Sequence, residues 1–273
     1  MNPALHRSAL FLAILALVVI VSGAYITSTE VAARLSQPGA FPALNEGLHR
    51  ALAIGLAVLT LAFAIWTAFT ATPNWIRALS WSGVVTLAIA TALGLRTRPL
   101  SPTTGVYHAL LAHLFLSIIV AIAVGTSASW NRPPELADGP RKPLLNPAAI
   151  ATPPFVLLQI ALGAMYRHDV TSVLPHMAAA MAVTFLALIV SSVVLQNYPR
   201  PASFRHAAVA LISIVLTQVC LGIAAFLLLL LNYAGTPYFI PVTIAHVTVG
   251  AATLAASVVM AIEVCRSIPP RTA

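Results

Sequence analysis

The chain is 273 residues long, 60% hydrophobic and only 7% charged, with a formal net charge of +8. A soluble domain carries roughly 25% charged residues, so this composition excludes a water-soluble globular protein and calls for a lipid environment. Nor does the positive balance point to nucleic acid: the cations stand between apolar runs rather than in a basic patch interleaved with aromatics, and there they act as topology determinants.

A helix needs about 20 apolar residues to cross a bilayer, and eight runs reach that length, which predicts an all-α integral membrane protein with eight transmembrane helices. The first, near residues 8–28, follows ALHRSAL. A charged start and an apolar stretch fit a signal peptide, but no small-residue cleavage site follows cleanly, so it reads as a retained helix. The second, near 48–71, opens on NEGLHR, which sets Glu46, His49 and Arg50 at its mouth. The third, near 76–95, is followed by Arg96 and Arg98, and the fourth, near 106–128, carries His108 and His113. Next comes TSASWNRPPELADGPRKPLLNP, a polar, proline-rich connection of the kind that separates repeats. The fifth run, near 149–166, contains QIALG and closes on GAMYRH, with Arg167 and His168 beyond it. The sixth, near 174–197, opens at His176; the seventh, near 206–232, contains QVCLG; the eighth, near 238–263, carries His246.

With the N-terminus inside, nine of the fourteen Lys and Arg residues fall on the cytoplasmic side and five, Arg34, Arg50, Arg96, Arg98 and Arg167, fall outside. The positive-inside rule then predicts both termini cytoplasmic. The two halves also echo one another. GAY, a loop and His49 match GAMYRH, a loop and His176; AHLFLSIIVA around His113 matches AHVTVGAATL around His246. The organisation expected is two repeated four-helix bundles, 1–128 and 148–273, joined by a cytoplasmic linker at 129–147. Because each half has an even number of helices, the repeat is parallel, which disfavours a transporter built on inverted repeats.

Every even-numbered helix runs from outside to inside, so His49, His113, His176 and His246 all lie in its outer part. Two histidines per half, on two helices of one bundle, can clamp a haem iron from both faces. The bland alternative is that each imidazole merely hydrogen-bonds a carbonyl inside the bundle, and recurrence across the repeat favours the iron. No Cys or carboxylate recurs at these positions, as another metal site would require. Cys220 and Cys265 have the spacing of neither a metal site nor a disulfide framework. His108 sits off the face of His113 and reads as structural; His6 and His206 sit at inner helix ends; His168 lies on an outer loop near the expected cofactor. Arg50, Arg96, Arg98 and Arg167 stand where haem propionates would emerge, although interfacial snorkelling accounts for them as well.

GAMYRH, the E-x-x-H-R of Glu46 to Arg50, and four histidines on alternate helices of two fused bundles resemble the haem A synthase family over nearly the whole chain. The resemblance implies a plasma (inner) membrane oxidoreductase that converts the C8 methyl of haem O to the formyl group of haem A for cytochrome oxidase. It also implies a substrate haem on the first half's histidines and a haem b cofactor on those of the second. Haem O synthase and a membrane electron donor are the partners it implies. The paired outer-loop cysteines of many bacterial members are missing here, for residues 27–45 contain none, and GAYITSTE replaces the usual run after GA. Glu46 precedes His49 by three residues and shares its helix face, whereas the matching position before His176 is Val173. One half alone keeps an acid beside its histidine, which marks Glu46 as the catalytic candidate, against a plain helix-capping role. The competing function is a di-haem electron-transfer protein of the cytochrome b561 type, which needs no such acid.

Overall fold

The computed structural model describes residues 2–35, 46–95, 101–140, 142–233, 236 and 238–268; the side chains of residues 34 and 35 fall outside the description. It contains eight α-helices: α1 (Pro3–Leu35), α2 (Glu46–Phe69), α3 (Asn74–Gly94), α4 (Pro102–Thr126), α5 (Leu145–Arg167), α6 (Leu174–Asn197), α7 (Ala202–Leu230) and α8 (Phe239–Ser267). All eight are long and apolar enough to cross a membrane, and no strand occurs among the described residues. The hydropathy runs mark the helix centres well and their ends less well. The 33 residues of α1 make a rod of about 50 Å, longer than the bilayer's hydrocarbon thickness of about 30 Å, so this helix extends past the apolar run that reveals it.

Local chemistry explains the ends. Ser101 caps α4 by accepting from the Thr104 backbone N–H at 3.4 Å, with Pro102 in the first turn, where the missing proline donor costs nothing. At the opposite end of the bundle, Arg77 on α3 donates to the Thr67 carbonyl (3.2 Å) and the Thr70 carbonyl (2.7 Å), closing α2. Arg205 on α7 does the same for α6 through the Leu195 carbonyl at 2.7 Å. A guanidinium with several donors suits the unpaired carbonyls of a helix C-terminus.

Helix α1 packs on α2 and α4, and α3 bridges α2 and α4; among the later helices α5 packs on α6 and α8, and α7 bridges α6 and α8. The two sets meet where α8 lies on α1 and α4, and α5 lies on α4. Leu5, Leu56, Phe63, Ile76, Phe115 and Ile122 belong to one buried apolar cluster, and Val190, Phe204, Leu211 and Met260 to another. Large apolar side chains such as Ile14, Phe69 and Met181 point outward, as lipid-facing residues do.

The polar stretch between α4 and α5 is strapped to the helix ends. Tyr198, 1% exposed, donates through its hydroxyl to the Pro140 carbonyl at 2.9 Å. The guanidinium of Arg266 stacks over Trp130 at 4.7 Å and donates to the carbonyls of Ser129, Trp130 and Arg132.

Candidate functional site: two histidine pairs on glycine saddles

Each of four histidines near the start of an even-numbered helix rests on a glycine of the helix before it. A methyl group on Gly23 would come within 3.1 Å of His49 Cε1, one on Gly94 within 2.8 Å of His108, one on Gly163 within 3.0 Å of His176 and one on Gly222 within 3.1 Å of His246. Only a residue without a Cβ lets the ring lie this close to the neighbouring backbone. What the ring gains there is an acceptor. A helical carbonyl keeps one lone pair after serving its own N–H, and the carbonyl four residues before the glycine lies beneath the ring. His108 Nδ1 donates to the Ala90 carbonyl at 2.8 Å, and His176 Nδ1 lies 3.2 Å from the Gln159 carbonyl and 2.9 Å from the amide nitrogen of the same residue. His49 reaches the equivalent Val19 carbonyl through a relay: its Nδ1 meets Ser22 Oγ at 2.7 Å, and that hydroxyl donates to Val19 at 2.8 Å. In His49 and His108, with Nδ1 engaged as donor, Nε2 is the nitrogen that retains a lone pair, which is how ligating histidines are commonly oriented.

These histidines meet as pairs. His49 and His108 have ring centroids 6.2 Å apart with planes at 73°, and His176 and His246 have centroids 6.2 Å apart with planes at 81°. Of the two pairs expected from the sequence the structure forms one, His176 with His246; in the other the partner differs. His108, not His113, faces His49. His113 is buried, and its Nδ1 donates to the Ala109 carbonyl of its own helix at 2.8 Å, the satisfied core role. Five residues turn a helix by about 500°, leaving the two side chains about 140° apart, so both cannot address the same partner. His108 lies six residues inside α4 and His246 seven inside α8, whereas His113 lies eleven inside; depth from the helix start identifies the counterpart, and the shared Ala-His dipeptide misleads.

Around the first pair, Glu46 opens α2 one turn before His49 and is ion-paired with Arg50 at 3.4 Å, both partly exposed. His168, just past α5, packs on Gly105 of α4, one turn before His108. Its neighbour Arg167 donates to the Ala24 carbonyl (3.2 Å) and to Ser28 Oγ (3.0 Å) of α1, and Ser28 also receives a hydrogen bond from Thr243 of α8. Arg96 and Arg98 lie outside the described residues. His6 donates through Nδ1 to the Ala123 carbonyl at 2.9 Å, far from either pair, and His206 is exposed. Cys220 and Cys265 are unbridged and exposed on α7 and α8.

Among the described residues no three or more His, Cys, Asp or Glu side chains gather in one place. The imidazoles come in twos, which suits a metal whose remaining ligands arrive with it, as a porphyrin supplies them, better than a bare zinc ion wanting four protein ligands. Compared with known proteins, the chain matches no family model and no curated sequence.

Proposed function

We propose that this protein is a membrane haem-modifying oxidoreductase of the haem A synthase kind, converting the C8 methyl of haem O to a formyl group. In this reading the helices form two repeated four-helix bundles with both termini cytoplasmic, embedded in the plasma (inner) membrane. The observation that carries it is the recurrence of one arrangement in both halves: two histidines from alternate helices, each on a glycine saddle, with ring centroids 6.2 Å apart. Each pair offers two imidazole nitrogens to a metal whose remaining ligands a porphyrin would supply, so the residues present fit a haem.

His49 and His108 would hold the substrate haem O, and His176 and His246 a haem b. That haem b supplies one-electron redox chemistry when bound. The chain's own groups position and deprotonate. Ser22 and the Ala90 carbonyl hold the first pair by Nδ1. Arg50 orients Glu46, whose carboxylate would take up protons released as the methyl gives four electrons to a membrane redox partner and gains its oxygen from water. Arg50 and Arg167 sit at the outer helix ends, where propionates would meet them. A haem O synthase supplies the substrate, and a membrane redox partner exchanges electrons.

A second reading, a di-haem electron-transfer protein of the cytochrome b561 type, is favoured by the Glu46–Arg50 pair, because a helix-start ion pair accounts for Glu46 without chemistry. Two measurements separate them. Pigments extracted from the purified protein should contain haem b together with haem O or haem A; two equivalents of haem b alone would select electron transfer, and no haem would exclude both. Glu46→Gln should retain haem and fold while haem A yield falls about 10²–10⁴-fold, the usual contribution of an acid–base group. A capping role instead predicts unchanged yield and a stability loss of up to about 1 kcal/mol.

A further inference from the structure

The outer end of α5 is built differently from its counterpart in the first half. Counting from the saddle glycines Gly163 and Gly23, the fourth and fifth residues are Arg167 and His168 after α5's glycine but Thr27 and Ser28 after α1's. Helix α1 runs on past this point, whereas α5 stops at Arg167. The stop is tight: the Asp169 N–H donates to the Tyr166 carbonyl at 3.1 Å and the Val170 N–H to the Met165 carbonyl at 2.8 Å, with Asp169 in the left-handed region at φ 57°. Glycine is the usual occupant of that position; here an aspartate holds it, and the turn sets where His168 lies.

Both basic residues of this end reach into the first half. Arg167 donates to the Ala24 carbonyl at 3.2 Å, beside the glycine that seats His49, and to Ser28 Oγ at 3.0 Å. His168 lies on Gly105 of α4, so closely that a methyl group there would overlap the ring. Gly105 stands three residues before His108, which on a helix is about 60° round the axis and about 4.5 Å nearer the outer end. The His168 ring therefore sits at the outer rim of the first pair, against the helix that supplies His108, although its own helix packs among the second set. Arg167 lies between the pairs, near enough to His246 for its charge to be felt there, whereas His168 is committed to the first. Glu46 at the mouth of α2 is paired with Arg50 at 3.4 Å, and Asp169 is exposed, so pairing and solvent blunt these two negative charges.

We propose that His168 is a substrate-binding residue of the first-half site: its ring N–H donates to a propionate of the haem held by His49 and His108, so that the second half closes the outer rim of the first. The inference rests on the haem-binding reading above. A haem held near the outer helix ends keeps its carboxylates toward water, where their charge is solvated, and an imidazole one turn out from the axial histidine stands at their level. Helix α1 offers the second pair no matching base, since Thr27 and Ser28 occupy the equivalent places and Ser28 is bound by Arg167 and Thr243.

The test is titration of two probes, haem b and its dimethyl ester, into the purified, pigment-free full chain carrying His176→Ala, so that the first pair alone binds. His168→Phe puts a ring on Gly105 but has no N–H. It should weaken haem b roughly 10- to 100-fold, the worth of a hydrogen bond to a charged group, while the ester binds parent and variant nearly alike. His168→Gln keeps a donor and should hold haem b near the parent's affinity. Equal weakening of both probes by His168→Phe would reveal a packing role, and undiminished haem b affinity would reveal no contact; either overturns the assignment. In the converse His49→Ala background His168→Phe should leave haem b binding unchanged, and a loss there would move the contact to the second half. A parent chain that takes up neither probe would instead refute the haem reading itself, and this inference with it.

Discussion

His108 and His113 share α4 but not a face, and their environments divide the work between them. His108 is held by the Ala90 carbonyl and turned to His49; His113 spends its donor on its own helix. His49→Ala and His108→Ala are therefore expected to deplete the same spectral species, read by low-temperature absorption of the purified variants. His113→Ala should leave that spectrum intact and lower stability by about 1–3 kcal/mol, through a buried cavity and a lost hydrogen bond, measured by chemical denaturation in detergent. A spectrum abolished by His113→Ala and spared by His108→Ala would restore the pairing read from the sequence. The residue types of this site were legible, because a histidine in an apolar helix has few reasons to be there. Which of two histidines five residues apart faces the partner was not, because the angle between them becomes an assignment only when the neighbouring helix is in place.

At the histidine pairs, helix contact is set by glycines. Small residues let membrane helices approach closely, and on α1, α3, α5 and α7 the same glycine that permits the approach seats a ring. Gly94→Ala puts a methyl 2.8 Å from His108 Cε1, a contact the neighbour must relieve by moving. It should cost about 1–3 kcal/mol, as overpacking does, and should strip haem from the first half while leaving the second half's spectrum unchanged. Gly55 offers the contrast, with nothing within 4 Å of its added methyl. Gly55→Ala should be neutral or stabilising by up to about 1 kcal/mol from helix propensity. Thermal unfolding of the two variants side by side checks both expectations, and equal destabilisation would show that glycine content alone matters, not the saddle.

Across the molecule, the arginines that bias the charge toward one side also serve locally there. Arg77 and Arg205 close α2 and α6, and Arg266 pins the strap between the halves. In the proposed topology the side that carries the strap is cytoplasmic. In a background with Cys220→Ala and Cys265→Ala, Val170→Cys should react with a membrane-impermeant thiol reagent in intact cells, and Leu136→Cys only after lysis; both native positions are exposed. The opposite pattern would invert the topology and move both histidine pairs to the cytoplasmic side.

Sequence alone determined the membrane class, the eight spans and the residue types that carry the chemistry. Those follow from composition and run length, since lipid admits a polar backbone only when helices satisfy it internally. It also exposed the echo between halves and, within the second half, the QIALG and QVCLG runs whose glutamines prove to flank the second pair. Tertiary structure decided the rest. That His108 replaces His113, that Ser22 relays His49 to Val19, and that Arg167 reaches from α5 to Ser28 on α1 depend on the rotation and depth at which helices far apart in the chain meet. A helix fixes the angle between its own residues, but only packing against its neighbours decides which of those angles points inward.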